Sequence, residues 1–108
     1  MNEPQIRVEF FISENGIAPF RIWLDELDYE FVGRINDRLK RLKYGNFGDY
    51  KNLGEGVFEL RFHFGSGYRI YFGKENSKIL ILLCAGDKST QSRDIKKAKK
   101  YWEEYKNA

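Results

Sequence analysis

Apolar positions change period along this chain, and each change predicts an element. Gln5 to Ser13 is dense in β-branched and aromatic residues and stops at Glu14-Asn15-Gly16, so it reads as a strand closed by a turn. Pro19 suits the first turn of a helix, and Phe20, Trp23, Leu24 and Leu27 follow at helical spacing as one apolar stripe. Asp28 suits the cap of a second helix. Its inner face is Phe31, Ile35, Leu39 and Leu42, and its outer face is Arg34, Asp37, Arg38, Lys40 and Arg41. That helix is expected to end at Tyr44-Gly45, with the glycine as a left-handed cap. Residues 45–56 hold four glycines and read as the longest loop.

From Val57 the period becomes two. Phe58, Leu60, Phe62 and Phe64 alternate with Val57, Glu59, Arg61 and His63. Gly65-Ser66-Gly67 reads as a short hairpin connection, leading into a strand Tyr68–Phe72 on which Arg69 and Tyr71 share a face. Gly73 to Ser77 reads as a polar turn. Lys78 to Cys84 is nearly all apolar, as a strand covered on both faces should be. A polar loop, Gly86 to Gln91, precedes a last helix from about Ser92, carrying Ile95, Ala98, Trp102 and Tyr105 on one side. The predicted order is β-α-α-β-β-β-α in one domain, residues 1–108. It is an α+β arrangement: a small, mostly antiparallel sheet, with the first strand added at an edge, packed against two helices.

Size and composition narrow the class. A chain of 108 residues, 42% hydrophobic and 17% aromatic, supports one core and no second one. The longest apolar run, Ile79 to Ala85, is far short of the roughly 18 residues that would indicate a membrane span. The start, Met1-Asn2-Glu3-Pro4, lacks the pattern of a secretion signal. One cysteine and one histidine give neither an internal disulfide nor a Cys/His metal cluster. The expectation is a soluble cytoplasmic domain with no metal and no cofactor.

Charge adds direction to this picture. Residues 1–33 hold two basic and seven acidic side chains, whereas residues 34–108 hold seventeen and nine. So uneven a split points to a polyanion-facing side built from the later part of the chain. No phosphate-loop or dinucleotide motif is present, and no serine sits in a nucleophile-elbow context. The cations remain. Arg61 and Arg69 lie on adjacent predicted strands, with Arg61 diagonal or near-opposite to Tyr71, so both arginines can share a face with Tyr71 and His63. Like charges across a sheet repel. Two arginines there imply either an anion between them or a carboxylate partner, for which Glu59 is placed. One reading is therefore a phosphate-binding floor gripped by arginine forks, the other an internal Arg–Glu network. Lys88 and Gln91 are positioned to close one end of the floor. Tyr71 is a candidate for base stacking or proton donation, and Lys96, Lys97, Lys99 and Lys100 for diffuse attraction to phosphates.

An ordered set of segments resembles a known family. Gly45-Asn46-Phe47-Gly48-Asp49, then Gly56 to Arg61, then Gly67 to Phe72 are similar to the RelE/HigB toxins of bacterial toxin–antitoxin modules. Leu83 to Gln91, with Asp94, Ile95 and Ala98, resembles the branch called addiction-module killer proteins, and Pro19-Phe20 with Trp23-Leu24 matches it too. The resemblance implies a RelE-like fold and a ribosome-dependent, metal-independent endoribonuclease that cuts messenger RNA through its own 2′-hydroxyl. It implies a helix-turn-helix antitoxin as partner, with operator DNA contacted only through that antitoxin, and no membrane. Carried over by position, Arg61, Arg69 and Lys88 are the catalytic cations, and Lys51 is nearest to the lysines the family places before the second strand. With Lys51, Gln91, Lys96 and Lys99 form the expected RNA-binding set. Gly86-Asp87-Lys88 stands where RelE has a catalytic tyrosine, so the proton carrier is open among Lys88, Tyr71 and His63. A gyrase-poisoning toxin of the same fold, the ParE group, and a noncatalytic RNA-binding module are the alternatives.

Overall fold

A computed structural model describes residues 3–108. The elements are β1 (Arg7–Phe10), α1 (Pro19–Asp25), α2 (Tyr29–Leu42), β2 (Tyr50–Gly54), β3 (Val57–Arg61), β4 (Arg69–Asn76), β5 (Ile79–Gly86), a 3-10 turn (Lys88–Thr90) and α3 (Gln91–Lys106). The five strands form one sheet in the order β1-β5-β4-β3-β2. β1 runs parallel to β5, and every other pairing is antiparallel. The α+β class and the edge position of the first strand are as expected.

Three expectations need correction. The glycine-rich segment 45–56 contains a strand, so the order is β-α-α-β-β-β-β-α. β2 escapes sequence patterning because it is an edge strand whose side chains are largely exposed, with no alternation to read. Ladder bonds to β3 hold it instead, and a tight turn at Gly54-Glu55-Gly56, with positive φ at all three residues, reverses the chain. The expected turn Gly73–Ser77 is largely strand, since β4 runs to Asn76. Asp28 stands at the N-cap of α2, yet its side chain makes no capping bond.

Three helices, where two were expected, cover both faces of the sheet. On one face, Phe20 and Leu24 of α1 and Ile35, Leu39 and Leu42 of α2 pack on Leu60, Phe62, Ile70, Phe72, Leu80 and Leu82. On the other, Ala98 and Trp102 of α3 pack on Val57, Tyr71, Ile81 and Leu83. The alternating apolar residues of β5 thus feed two cores, which explains its unbroken apolar sequence. The same layering buries Val57, Glu59 and Tyr71, because α3 lies over them, so the face on which Tyr71 was expected to meet a base is closed.

Trp102 sets the depth of α3 on the sheet. Its ring lies where a Cβ on Gly73 would sit, 2.3 Å from the nearest ring atom. A side chain at that position must push the helix away. Gly73→Ala is therefore expected to lower unfolding free energy by about 1–3 kcal/mol, the usual range for overpacking. Gly33, inside α2, has nothing within 4 Å of its missing Cβ. Gly33→Ala is expected to raise stability by about 0.5–1 kcal/mol through helix propensity. Urea unfolding of the two variants checks both signs.

Candidate functional site

The site begins with the register between β3 and β4. Arg61 stands directly opposite Arg69, and Glu59 directly opposite Tyr71. Arg61 is therefore diagonal to Tyr71, one of the two arrangements expected, and the four side chains share a face. Lys51 of β2 is the register partner of Glu59 on its other side. A row Lys51–Glu59–Tyr71–Cys84 therefore crosses the sheet, with the Arg61–Arg69 pair in the row beside it.

Glu59 is fully buried (0% exposed) and is held from two directions. Arg61 Nε donates to its Oε1 at 3.0 Å, and Gln91 Nε2, from the first turn of α3, donates to its Oε2 at 2.8 Å. A buried carboxylate needs such partners, since an unpaired one would neutralise instead. Of the Arg61 guanidinium only Nε is engaged among the described residues, and the side chain keeps 32% exposure. Its terminal nitrogens remain available to an anion.

Arg69 differs in kind. It is only 6% exposed, and its Nη1 donates to the carbonyls of Phe62, Gly67 and Tyr68 at 3.0–3.2 Å. Its guanidinium ties the β3–β4 connection together, so the expected open pair of forks is one open and one closed. Tyr71 is also corrected. It is fully buried, so no base can stack on it, and burial, then the neighbouring Glu59 charge, pushes its phenol far above the ordinary range. Cys84 is buried as well, and its thiol is pushed up to about 12, by burial first and then by the Asp94 charge.

Lys88 opens the 3-10 turn. It is exposed, and its stem lies against Gly67, whose missing Cβ would stand 2.9–3.0 Å from the lysine carbons. Lys88 therefore joins Arg61 and Arg69 at one end of the sheet, and Gln91 joins them through Glu59. Lys96 borders a shallow recess with Ser89, Thr90, Ser92 and Arg93. Lys99 sits 3.7 Å from Glu55, at the far end of β3, and does not join the cluster. Among the described residues no group of His, Cys, Asp or Glu side chains could hold a metal ion. No helix among the described residues is long and apolar enough to cross a membrane.

A second wall of the site comes from α2. Arg34, Asp37, Arg38 and Arg41 line a groove of about 410 Å3 with Asp49, Arg61, Phe62, His63 and Phe64. His63 lies beyond the end of β3 and is exposed, with its Nε2 2.6 Å from Asp49 Oδ2. Neutral His63 oriented this way donates from Nε2 and leaves Nδ1 as the basic nitrogen. Arg38 is bound inward, donating to the carbonyls of Phe47, Asp49 and Arg61, and so stitches α2 to the segment before β2 and to the end of β3. The arginine stripe on α2 had only a solvated-face reading in the sequence. The signal was its spacing: positions 34, 38 and 41 fall on one side of a helix.

Two predictions follow from the contrast between closed and open cations. Arg69→Met keeps the stem but takes a donor from the carbonyls of Phe62 and Gly67, while that of Tyr68 keeps the Phe62 N–H, and is expected to cost about 1–3 kcal/mol in urea unfolding. Lys88→Met, at an exposed position, should stay within about 0.5 kcal/mol. The hydrogen bond from His63, reinforced by the charges of His63, Arg61 and Arg38, holds the Asp49 carboxyl below its ordinary value. A carboxylate lowered in the folded state adds stability above its unfolded pKa, about 3.9. That contribution is lost as pH falls through the lower folded value. The stability difference between the native protein and Asp49→Asn should accordingly be present at neutral pH and shrink below about pH 4, as thermal unfolding across that range will test.

Comparison with known proteins places this geometry in a family. A protein of Haemophilus influenzae (strain Rd), described as an uncharacterized protein, is 52% identical over 81 residues, which cover 74% of this chain and 82% of the relative. Residues 22–105, which take in α2, all four antiparallel strands, the 3-10 turn and nearly all of α3, match the family described as Phage derived protein Gp49-like (DUF891). The chain belongs to that Gp49-like family, which is associated with the toxins of toxin–antitoxin modules.

Proposed function

We propose that the protein is the toxin of a toxin–antitoxin pair and acts as an endoribonuclease on messenger RNA at the ribosome, with a helix-turn-helix antitoxin as its partner. The reading rests on the family together with one observation. Arg61, whose terminal nitrogens are unengaged among the described residues, and an imidazole ordered by a carboxylate, His63–Asp49, line the same groove.

In that groove the chemistry needs no metal or cofactor. The RNA 2′-oxygen attacks the adjacent phosphorus while its proton passes to a base, a role we assign to His63 Nδ1, the ring nitrogen left by the Asp49 bond. The P–O5′ bond breaks, and the departing 5′-oxygen takes a proton. The products are a 2′,3′-cyclic phosphate and a 5′-hydroxyl, and the atoms balance without an external reactant. Negative charge grows on the nonbridging oxygens during the step. Arg61 answers it with a guanidinium, a group that holds its charge while the reaction proceeds and so acts by electrostatics and not by proton transfer. Glu59 is a positioning residue: bonded to Nε, it fixes the direction of the fork. Lys88 stands at the same end of the sheet and supplies a second mobile cation able to neutralise charge or protonate the leaving oxygen. Arg69 supports the connection that carries the site. One imidazole and one exposed lysine make a sparse acid–base set, so RNA alignment must provide much of the rate. A ribosome that presents the message in extended form would supply it.

The test is cleavage of ribosome-bound message by purified protein, with RNA ends mapped. His63→Gln is expected to lose about 10²–10⁴-fold in rate, the range of a general acid–base group. Arg61→Lys keeps a cation over Glu59 but loses the fork, and is expected to lose at least about 10²-fold while remaining folded by circular dichroism. Native protein that leaves message intact while breaking DNA in cells would identify a gyrase poison and overturn the reading. Salt-sensitive RNA binding with no cleavage would identify a noncatalytic module.

A further inference from the structure

We infer that the exposed arginines of α2, Arg34 and Arg41, form a track for the phosphates of a single RNA strand, leading to Arg61. The inference deepens the ribonuclease reading by assigning the strand's path to the α2 groove and not to the lysine-rich face of α3.

The groove is built for an anion. The Arg34 guanidinium lies 3.9 Å from the centroid of Phe64, and Arg38 lies 4.6 Å from that of Phe62. Stacking of this kind fixes a guanidinium plane and turns its N–H edges outward. Arg38 spends its donors on backbone carbonyls. Arg34 and Arg41 enter no ion pair among the described residues, although Asp37 lies between them in sequence. The helical rise separates Arg34 from Arg41 by about 10 Å along α2. Arg61 stands on the facing wall of the same groove. Two exposed cations spaced along one helix, neither paired with the groove's carboxylates Asp37 and Asp49, suit a ligand whose negative charges also repeat along a line. A nucleic acid backbone has that property. An acidic peptide helix would also seek apolar pockets, and here guanidinium groups roof the faces of Phe62 and Phe64. The lysines of α3 lack comparable definition: Lys99 engages Glu55, and Lys96 borders a shallow recess.

Binding of a labelled single-stranded RNA of mixed sequence, measured by anisotropy across a salt series, tests the track. Each lost phosphate contact lowers the slope of log affinity against log salt by about 0.7 for a single strand. The double variant R34Q/R41Q should therefore lose about 1.4 from the slope and bind several-fold more weakly at low salt. K96Q/K100Q, which removes the same charge from α3, should change the slope little. Equal losses in the two variants would mean diffuse attraction and overturn the track, as would no loss in R34Q/R41Q. Weakened capture of a poly-glutamate peptide with RNA binding unchanged would reassign the groove to an acidic protein segment. Cleavage of ribosome-bound message by the native protein is scored separately. Its absence, with the R34Q/R41Q slope loss intact, defeats the ribonuclease reading and leaves the track standing. Native cleavage with an unchanged R34Q/R41Q slope does the reverse.

Discussion

A carboxylate with no access to water determines how this molecule is arranged. Glu59 sits beneath α3 with one oxygen on Arg61 and the other on Gln91. The two bonds come from different directions. One fixes an arginine along the same strand, and the other ties the first turn of α3 to the middle of the sheet. Removing a partner from a buried charge is far costlier than removing a surface pair, so the bonds define a single docking position for α3. Trp102, lodged against Gly73, fixes the same helix three turns further on. Helix and sheet are thus pinned at two points, one polar and one apolar.

The polar pin also explains how two arginines can face each other across β3 and β4. Directly opposed like charges destabilise a sheet. Here Glu59 takes the Nε of Arg61, while the Nη1 of Arg69 turns to three backbone carbonyls. One guanidinium becomes part of the scaffold and the other is left with its terminal nitrogens open. The proposed cleavage uses that asymmetry: a site with both forks closed would bind nothing, and one with both open would lack a fixed geometry.

Most of the fold was legible because its elements are strongly patterned. The stripe Phe20, Trp23, Leu24 and Leu27, the alternation from Val57 and the apolar run of β5 each left one reading, and each has its element, although α1 stops at Asp25, short of Leu27, and β3 at Arg61, short of His63 and Phe64. β2 was not legible, since an edge strand held by backbone ladders has no burial pattern to announce it. Depth was the harder quantity. Glu59 and Tyr71 alternate with Phe58 and Ile70 in a way that suggests a wet face, and only the placement of α3 makes that face dry. The clustering of Arg61, Arg69 and Lys88 at one end of the sheet was readable from strand order. Which of them stays open to a ligand was not, because that depends on carbonyls at Phe62, Gly67 and Tyr68 that no side-chain pattern encodes.

The arginines of α2 carry the same lesson into the groove. Arg34, Arg38 and Arg41 share one stripe and one charge, yet they divide as Arg61 and Arg69 do. Arg38 is consumed by the carbonyls of Phe47, Asp49 and Arg61, and through the last of these it holds the end of β3 on which the open fork is mounted. Arg34 and Arg41 flank it with their charges unspent. Each exposed cation of the groove therefore stands beside one bonded to carbonyls, half-buried Arg38 or buried Arg69, that fixes the backbone beneath it. Net charge counts both kinds alike. The distinction between them lies in backbone acceptors: a guanidinium that meets carbonyls becomes structure, and one that meets none keeps its affinity for a phosphate.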